Sequence, residues 1–434
     1  MYLTLIPIII FSKILTWFLK VTGEGSGTAL PGRIIEKYFP RTLQKLVSQI
    51  PNIIIITGTN GKTTTQTLLN SIFKEADINI IINSAGANLS RGILSEILKQ
   101  CSLTGKIDCT HAVFEIEEGT LPKIAKVLNP KIIAVTNLYR DQLDAYGEVD
   151  ITQKYIRKGI EQCPNAKIIL NYDDPRTSQL TKKLPNDTYY VSLPDQFSKE
   201  LPYEGERTKQ KSKVPNYIKA KNLKVTPNLT SEFEVLGKIN NKQIKFDTQT
   251  LNAYGYFHVY NVLIAITVSK LLDIKNNIIK KGINKFNPAF GRGELITKKD
   301  KEKTVNFRML LVKNPAGYSL NLDLIRSVKN LKLILLLNDN TADGKDISWI
   351  WDARFELLNK SDITWMILGG TRAKDLQVRL KYALNEYSEY FLDEDINKCI
   401  EKSFNNANNN DTIFVLPTYT AMLKFRKLLG KKLE

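Results

Sequence analysis

The run Ile53-Ile54-Ile55-Ile56-Thr57-Gly58-Thr59-Asn60-Gly61-Lys62-Thr63-Thr64-Thr65 holds the residue types that binding a nucleoside triphosphate requires. Gly58 and Gly61 permit a tight turn whose backbone N–H groups face phosphate oxygens. Lys62 can neutralise the terminal phosphates, and the Thr63 hydroxyl can ligate Mg²⁺. Thr59, Asn60 and Thr64 complete the loop. The common P-loop spacing would need Gly at position 56, where Ile stands, so the shorter spacing points away from GTPases and nucleoside kinases.

Such a loop works only if a strand delivers it and a helix follows it. Four consecutive isoleucines read as a strand buried on both faces of a parallel sheet, and Thr67 to Phe73 continues at helical spacing. Short strands at Ile80–Ile82, Ala112–Ile116, Ile132–Thr136 and Lys167–Leu170, with a helix over Gly92–Lys99, predict a doubly wound sheet. Ligands bind where such strands end. Glu115 stands there, with Glu117 and Glu118 beside it, and its carboxylate suits Mg²⁺, which takes few protein oxygens and several from phosphate. Thr136-Asn137 with Arg140-Asp141, and Asn171 with Asp173-Asp174, follow the next two strands and supply polar groups to the same edge.

Stretches Leu30–Arg33 and Gly23–Gly27 read as loop, and Asp195–Val225, rich in Lys, Pro, Glu and Ser, reads as a surface insertion. Strand-like alternation covers Glu232–Phe246, and Val259–Leu271 reads as a helix. A second alternating block, with strands at Met309–Val312, Leu333–Leu337, Trp365–Leu368 and Thr412–Leu416, predicts another α/β domain. The charged run Lys298–Lys303 marks the expected boundary.

A length of 434 residues implies two or three domains. The net charge of +18 is spread along the chain, which favours general attraction to anionic partners over a dedicated nucleic-acid groove. Cys101, Cys109, Cys163 and Cys399 lack CxxC spacing, and no secretory cleavage pattern is present, so neither disulfides nor structural zinc is expected and the cytoplasm is the expected compartment. Met1–Val21 is apolar, but Pro7 and Lys13 interrupt it. It reads as a packed or an interfacial helix and not as a membrane span.

Together, Gly58-Thr59-Asn60-Gly61-Lys62-Thr63-Thr64, Thr136-Asn137 with Arg140-Asp141, and Asn171 with Asp173-Asp174 resemble the Mur ligase family, ATP-dependent enzymes that activate a carboxylate as an acyl phosphate. Leu30-Pro31-Gly32-Arg33, Gly86-Ala87-Asn88-Leu89, Arg140 to Asp144, Lys313 to Gly317, Leu337 to Asn340 with Ala342-Asp343-Gly344, and Gly370-Thr371-Arg372 are similar to one branch of it. That branch amidates lipid II beside a glutaminase, and the likeness covers nearly the whole chain.

The resemblance implies an α/β chain of three parts. These are an N-terminal helix and loop segment (1–48), a Mur-ligase-type central ATPase domain with a mostly parallel sheet (49–296), and a C-terminal Rossmann-like α/β domain (297–434). It implies ATP and Mg²⁺ as cofactors, a GatD-like glutaminase as heterodimer partner, and lipid II at the inner membrane leaflet as substrate. The α-carboxylate of its D-glutamate would be phosphorylated and then attacked by ammonia to give D-isoglutamine. By this likeness Lys62 and Glu115 serve catalysis, with Thr63 and Glu115 holding the metal. Asn261 and Arg292 would line the nucleotide pocket, and Asp346, with Asp352 as the alternative, would complete a triad in the partner. The N-cap of the turn before Trp349 remains open for Asp346.

Neither His111 nor His258 accompanies a recognisable nucleophile turn around any Cys, so this chain is not expected to hydrolyse glutamine itself. Members of the branch commonly carry a four-cysteine zinc ribbon, but Leu201–Val225 contains no Cys, so zinc is not expected. His258 stands where the family usually has Asn, and Lys154 is given no carbamylated role. Two rival readings are a Mur-type amino-acid or polyglutamate ligase and a non-catalytic ATP-binding scaffold for an amidotransferase.

Overall fold

The computed structural model describes all residues except 1–4, 23–28, 84–86, 142–147, 200, 203–213, 227–228, 252, 289–290, 300–302, 386–389 and 431–434. Part of the Gly86-to-Leu89 and Arg140-to-Asp144 motifs, the Gly23–Gly27 loop and part of the expected insertion therefore lie outside the described residues.

Among the described residues the first sheet has the order β2-β3-β1-β4-β5-β6-β7-β8-β9. Its parallel part comprises β1 (Asn52–Thr57), β2 (Ile80–Ile82), β3 (His111–Glu115), β4 (Ile132–Val135), β5 (Lys167–Asn171), β6 (Thr188–Ser192) and β7 (Tyr217–Val225). β8 (Ser231–Ile239) and β9 (Lys242–Leu251) add an antiparallel hairpin. Ile53 to Ile56 are buried on both faces, because helices cover both sides of β1. The chain leaves β1 toward β3 on one side and later toward β4 on the other, so the P-loop opens at a topological switch point.

α4 (Lys62–Glu75) carries the loop's lysine at its first position and packs against α8 (His258–Leu271) and α9 (Asn276–Asn284). The apolar run of α8 is buried all round, which is why its sequence shows little amphipathic pattern. α1 (Ile6–Thr22), α2 (Leu30–Tyr38), α3 (Thr42–Val47) and α5 (Ser90–Gln100) form a cap on the opposite face.

The second sheet has the order β10-β11-β15-β12-β13-β14. Its strands are β10 (Arg292–Lys299), β11 (Thr304–Leu310), β12 (Leu331–Leu336), β13 (Ile363–Gly369), β14 (Tyr390–Asp393) and β15 (Thr412–Pro417). β10 is antiparallel to β11 and the remaining pairs are parallel. α10 (Pro315–Ile325), α11 (Ala373–Ala383), α12 (Ile396–Asn406) and α13 (Tyr419–Leu428) cover it.

Three expectations are corrected. Leu30–Arg33 begins helix α2, where Pro31 sits in the first turn and loses no hydrogen bond. Tyr217–Val225 is a sheet strand and not surface insertion, because Ile218, Ala220 and Leu223 turn inward while the lysines turn out. The second domain starts at Arg292, since β10 pairs with β11 across the charged run, and so Arg292–Ile296 leaves the central domain.

Helix α9 approaches α4 closely at Gly282, where an added Cβ would lie 2.5 Å from Ile72 Cα. Backbone cannot yield there as a side chain could. Gly282→Val is expected to destabilise the central domain by about 1–3 kcal/mol, more than the slight gain in helix propensity returns. An unchanged urea midpoint would contradict this packing.

Candidate active site

The loop after β1 is built by left-handed glycines and an asparagine template. Gly58 and Gly61 have φ of 114° and 91°, which side chains rarely adopt. Asn137, following β4, accepts from Asn60 N at 2.9 Å and donates to Asn60 O at 3.0 Å. Thr59 N donates to Asn137 O at 2.9 Å, and Tyr139 N donates to Thr59 Oγ1 at 3.1 Å. With Thr59 and Asn60 fixed in this way, the first turn of α4 aims N–H groups that lack intrahelical acceptors into the cleft.

Two carboxylates from the end of β3 face that turn. Thr63 Oγ1 donates to Glu115 Oε2 at 2.7 Å, and Lys62 Nζ pairs with Glu118 Oε1 at 3.2 Å, all four side chains being buried. Lys62 Nζ also donates to Gly58 O at 2.5 Å and Thr59 O at 3.3 Å. Burial works to lower the Lys62 pKa, but Glu118, Glu115 and Asp141 outweigh it and hold the pKa above its ordinary value. The lysine is therefore a fixed positive charge at every physiological pH. Asn83, after β2, braces the backbone of Glu115 by accepting from its N–H and donating to its C=O, both at 2.9 Å, and Gln66 of α4 donates to Asn83.

The cleft between the two domains has a volume of about 120 Å³ and is lined by Thr59 to Thr64, Glu115, Asn137, Asn261 and Arg292 among others. All the expected loop residues from Thr59 onward thus meet Glu115, Asn261 and Arg292 in one place, with Gly58 supplying the turn beneath. Asn261 Oδ1 accepts from Thr65 Oγ1 at 3.3 Å, and its amide contacts His258 Nδ1 at 3.1 Å. Thr64 Oγ1 is buried with no hydrogen-bond partner among the described residues, which is the kind of group a phosphate oxygen satisfies. The oxygen donors of Thr63 and Glu115 likewise fit Mg²⁺, which needs only one or two protein ligands beside phosphate.

Contacts across the cleft join the domains. Asn60 and Asn314 exchange side-chain hydrogen bonds at 3.0 and 3.3 Å, and Asn314 also caps α10 through Gly317 N at 2.8 Å. Lys313 reaches Asp141 at 3.6 Å, and Arg140 reaches Asp352 at 3.1 Å.

Other expected residues support the site from behind. Asp173 accepts from Tyr260 OH at 2.5 Å and Leu193 N at 2.8 Å. Asp174 is buried and accepts from Leu138 N and Arg176 N at 2.7 and 2.9 Å. Burial raises its pKa to about 6 despite these donors. Asn171 donates to Thr136 O at 3.2 Å. Lys154 stands on α7 (Val149–Glu161) and does not line the cleft. Asp346 accepts from Ser348 N at 2.8 Å at the start of a short turn, Ser348–Trp351, in the second domain. The structural work of Glu118, Asn83 and Gln66 had no sequence signal beyond the acidic cluster that Glu118 shares with Glu115.

The middle-domain model of the Mur ligases matches residues 56–269, and the MurT ligase C-terminal model matches 311–422. The lipid II isoglutaminyl synthase (glutamine-hydrolyzing) subunit MurT of Staphylococcus aureus is 34% identical over 94% of both chains. The chain belongs to the MurT branch of the Mur ligase family. The Streptococcus pneumoniae MurT subunit is 32% identical over 94% of this chain and 93% of that one. The Mur ligase fold extends to MurF of Thermotoga maritima in complex with ADP, at TM-score 0.64 and 14% identity, covering 92% of this chain and 84% of that one. The matched MurT C-terminal segment contains Lys313, Asn314 and Asp346, so the cross-cleft contacts join its two matched regions.

His258 sits at the cleft edge, where burial and then the Arg292 charge lower its pKa from 6.5 to about 3. Between those values the unfolded chain binds the proton more readily, so folding loses stability as pH falls from about 6.5 and gains nothing further above it. Because the imidazole lines an open cleft, the effect is smaller than full enclosure would give. His258→Asn, which can still contact Asn261, is expected to flatten the loss of thermal stability between pH 7 and 5. An identical pH slope in the variant would contradict this placement.

Proposed function

We propose that this chain is the ATP-dependent synthetase subunit that amidates the α-carboxylate of D-glutamate in lipid II, taking ammonia from a GatD-like glutaminase. The observation that carries the reading is the convergence of Lys62, Thr63 and Glu115 at the ends of β1 and β3, in a chain 34% identical to a MurT subunit along its length.

The chemistry proceeds in two displacements. A carboxylate oxygen of the substrate attacks the γ-phosphorus of ATP, the bond to the β,γ-bridging oxygen breaks, and ADP leaves. Ammonia then attacks the acyl carbon, phosphate departs, and a proton is lost from nitrogen. Lys62 and the first-turn N–H groups of α4 bind and orient the phosphates, stabilising charge that moves toward the leaving oxygen. Glu118 keeps the Lys62 ammonium directed along the loop, and Asn137 holds the loop in shape. Arg292 and Asn261 flank the nucleotide pocket. Mg²⁺, held by Thr63 and Glu115, would shield the negative charge between the approaching carboxylate and the phosphates. The Asn60–Asn314 pair and the Arg140–Asp352 and Lys313–Asp141 contacts hold the two domains together across the site.

An exposed apolar face suits a partner. Trp351 and Tyr382 are exposed and touch at 5.7 Å between ring centroids, with exposed Val378 one helical turn from Tyr382. This apolar face lies just after Asp346, whereas Asp352 is engaged by Arg140. We assign Asp346, whose Oδ1 accepts from Ser348 N, to the partner's triad on its likeness to the MurT carboxylate, with the orienting role a carboxylate plays toward imidazole.

Lipid II amidation with ammonium should fall by roughly 10²–10³-fold or more in Lys62→Ala and Glu115→Gln. Asp346→Asn should leave ammonium-driven amidation intact and abolish glutamine-driven amidation in the complex. Equal glutamine-driven turnover in Asp346→Asn would remove that residue from the partner's triad. Full activity in Lys62→Ala would remove the whole reading.

A further inference from the structure

Helix α1 carries two apolar faces, and the fold uses only one. Leu5, Ile9, Ser12 and Leu19, at helical spacing, are buried where α1 packs on α2 and α5. The other face exposes Ile10, Ile14, Trp17 and Val21 in one row, the last three at 60%, 65% and 67%, with Phe11 and Phe18 beside it. An unbroken row of large apolar side chains on a free face marks a surface that something covers.

Charge decides what covers it. α1 contains no acidic residue, and residues 1–50 hold six Lys or Arg against two Glu. No helix among the described residues is long and apolar enough to cross a membrane, and α1 extends only about 25 Å at 1.5 Å per residue. A short helix with a wide apolar face and aromatic residues, in a segment of net positive charge, is suited to lie in the plane of an anionic lipid surface.

The fold also orients that face. Gly105, just after α5, lies against Leu5 and Ile9, while Lys13 Nζ donates to Lys99 O in the last turn of α5 at 3.0 Å. α1 therefore runs back along α5 toward its N-terminus. There Asn88 O accepts from Glu117 N at 3.1 Å, next to the carboxylates of the cleft. The Trp17–Val21 end of the row is thus the end directed toward the active-site side of α5.

We propose that the exposed face of α1 docks this chain on an anionic lipid bilayer, with Ile14, Trp17 and Val21 buried at the headgroup boundary and the net positive charge of residues 1–50 drawing the segment to the lipid. The proposal rests on the helix alone and is independent of the amidation reading.

Full-length chain is sedimented with phosphatidylglycerol vesicles and with phosphatidylcholine vesicles, both free of lipid II, while tryptophan emission is recorded. Binding to the anionic vesicles alone, with a blue shift that Trp17→Phe removes, is the expected result. Ile14→Glu and, separately, Val21→Glu should weaken vesicle binding by about tenfold or more, with unfolding midpoint and nucleotide binding unchanged. The docking role is overturned if wild-type chain ignores both vesicles, binds both equally, or binds as well after either substitution. It is equally overturned if the row proves to be the contact between two copies, shown by a wild-type dimer that Ile14→Glu makes monomeric without altering lipid binding.

Discussion

The structure depends on the burial of one ammonium between two carboxylates at the mouth of a parallel sheet. Lys62, held by Glu118 and facing Glu115, costs desolvation that its pairing repays only while the geometry stays tight. Removing one member of such a pair strands the other at a cost of about 3–5 kcal/mol, whereas an apolar replacement of both is often harmless. Stability therefore does not account for these charges, whereas the proposed phosphate chemistry would. The surroundings serve to keep the geometry: Asn137 templates the loop, Asn83 and Gln66 fix the end of β3, and the Thr63–Glu115 bond closes the ring.

From that centre the two domains acquire distinct tasks. The first sheet places phosphate-binding groups at its switch point, and the second brings Asn314, Lys313 and Arg292 over the same opening. Because Asn60 belongs to the phosphate loop itself, its exchange with Asn314 ties closure of the C-terminal domain to the conformation of that loop. The same domain carries Asp346 and the exposed Trp351–Tyr382 pair, apart from the residues that line the cleft.

Much of this was legible in the chain because local chemistry repeats there. Four isoleucines, two glycines and Lys-Thr specify a strand, a left-handed turn and a helix start, all within reach of neighbouring residues. Glu115 was legible from its place at a strand end. Glu118 was not, since three acidic residues in four leave open which of them turns inward. Asn83 and Gln66 act through contacts that only the folded sheet creates. β7 hid behind its lysines, although inward Ile218, Ala220 and Leu223 carry the burial, and the charged run near Lys299 belongs to a hairpin that resembles a linker. Pro31 signalled loop because proline breaks helix interiors, yet it occupies a first turn.

Isotope tracing follows the transfer of phosphate to a substrate carboxylate directly, without reliance on any variant. Lipid II bearing ¹⁸O in the D-glutamate α-carboxylate, turned over with ATP and ammonium, is predicted to deliver one ¹⁸O into the inorganic phosphate released with each amide formed. Amide formation that yields phosphate free of ¹⁸O would contradict activation through an acyl phosphate.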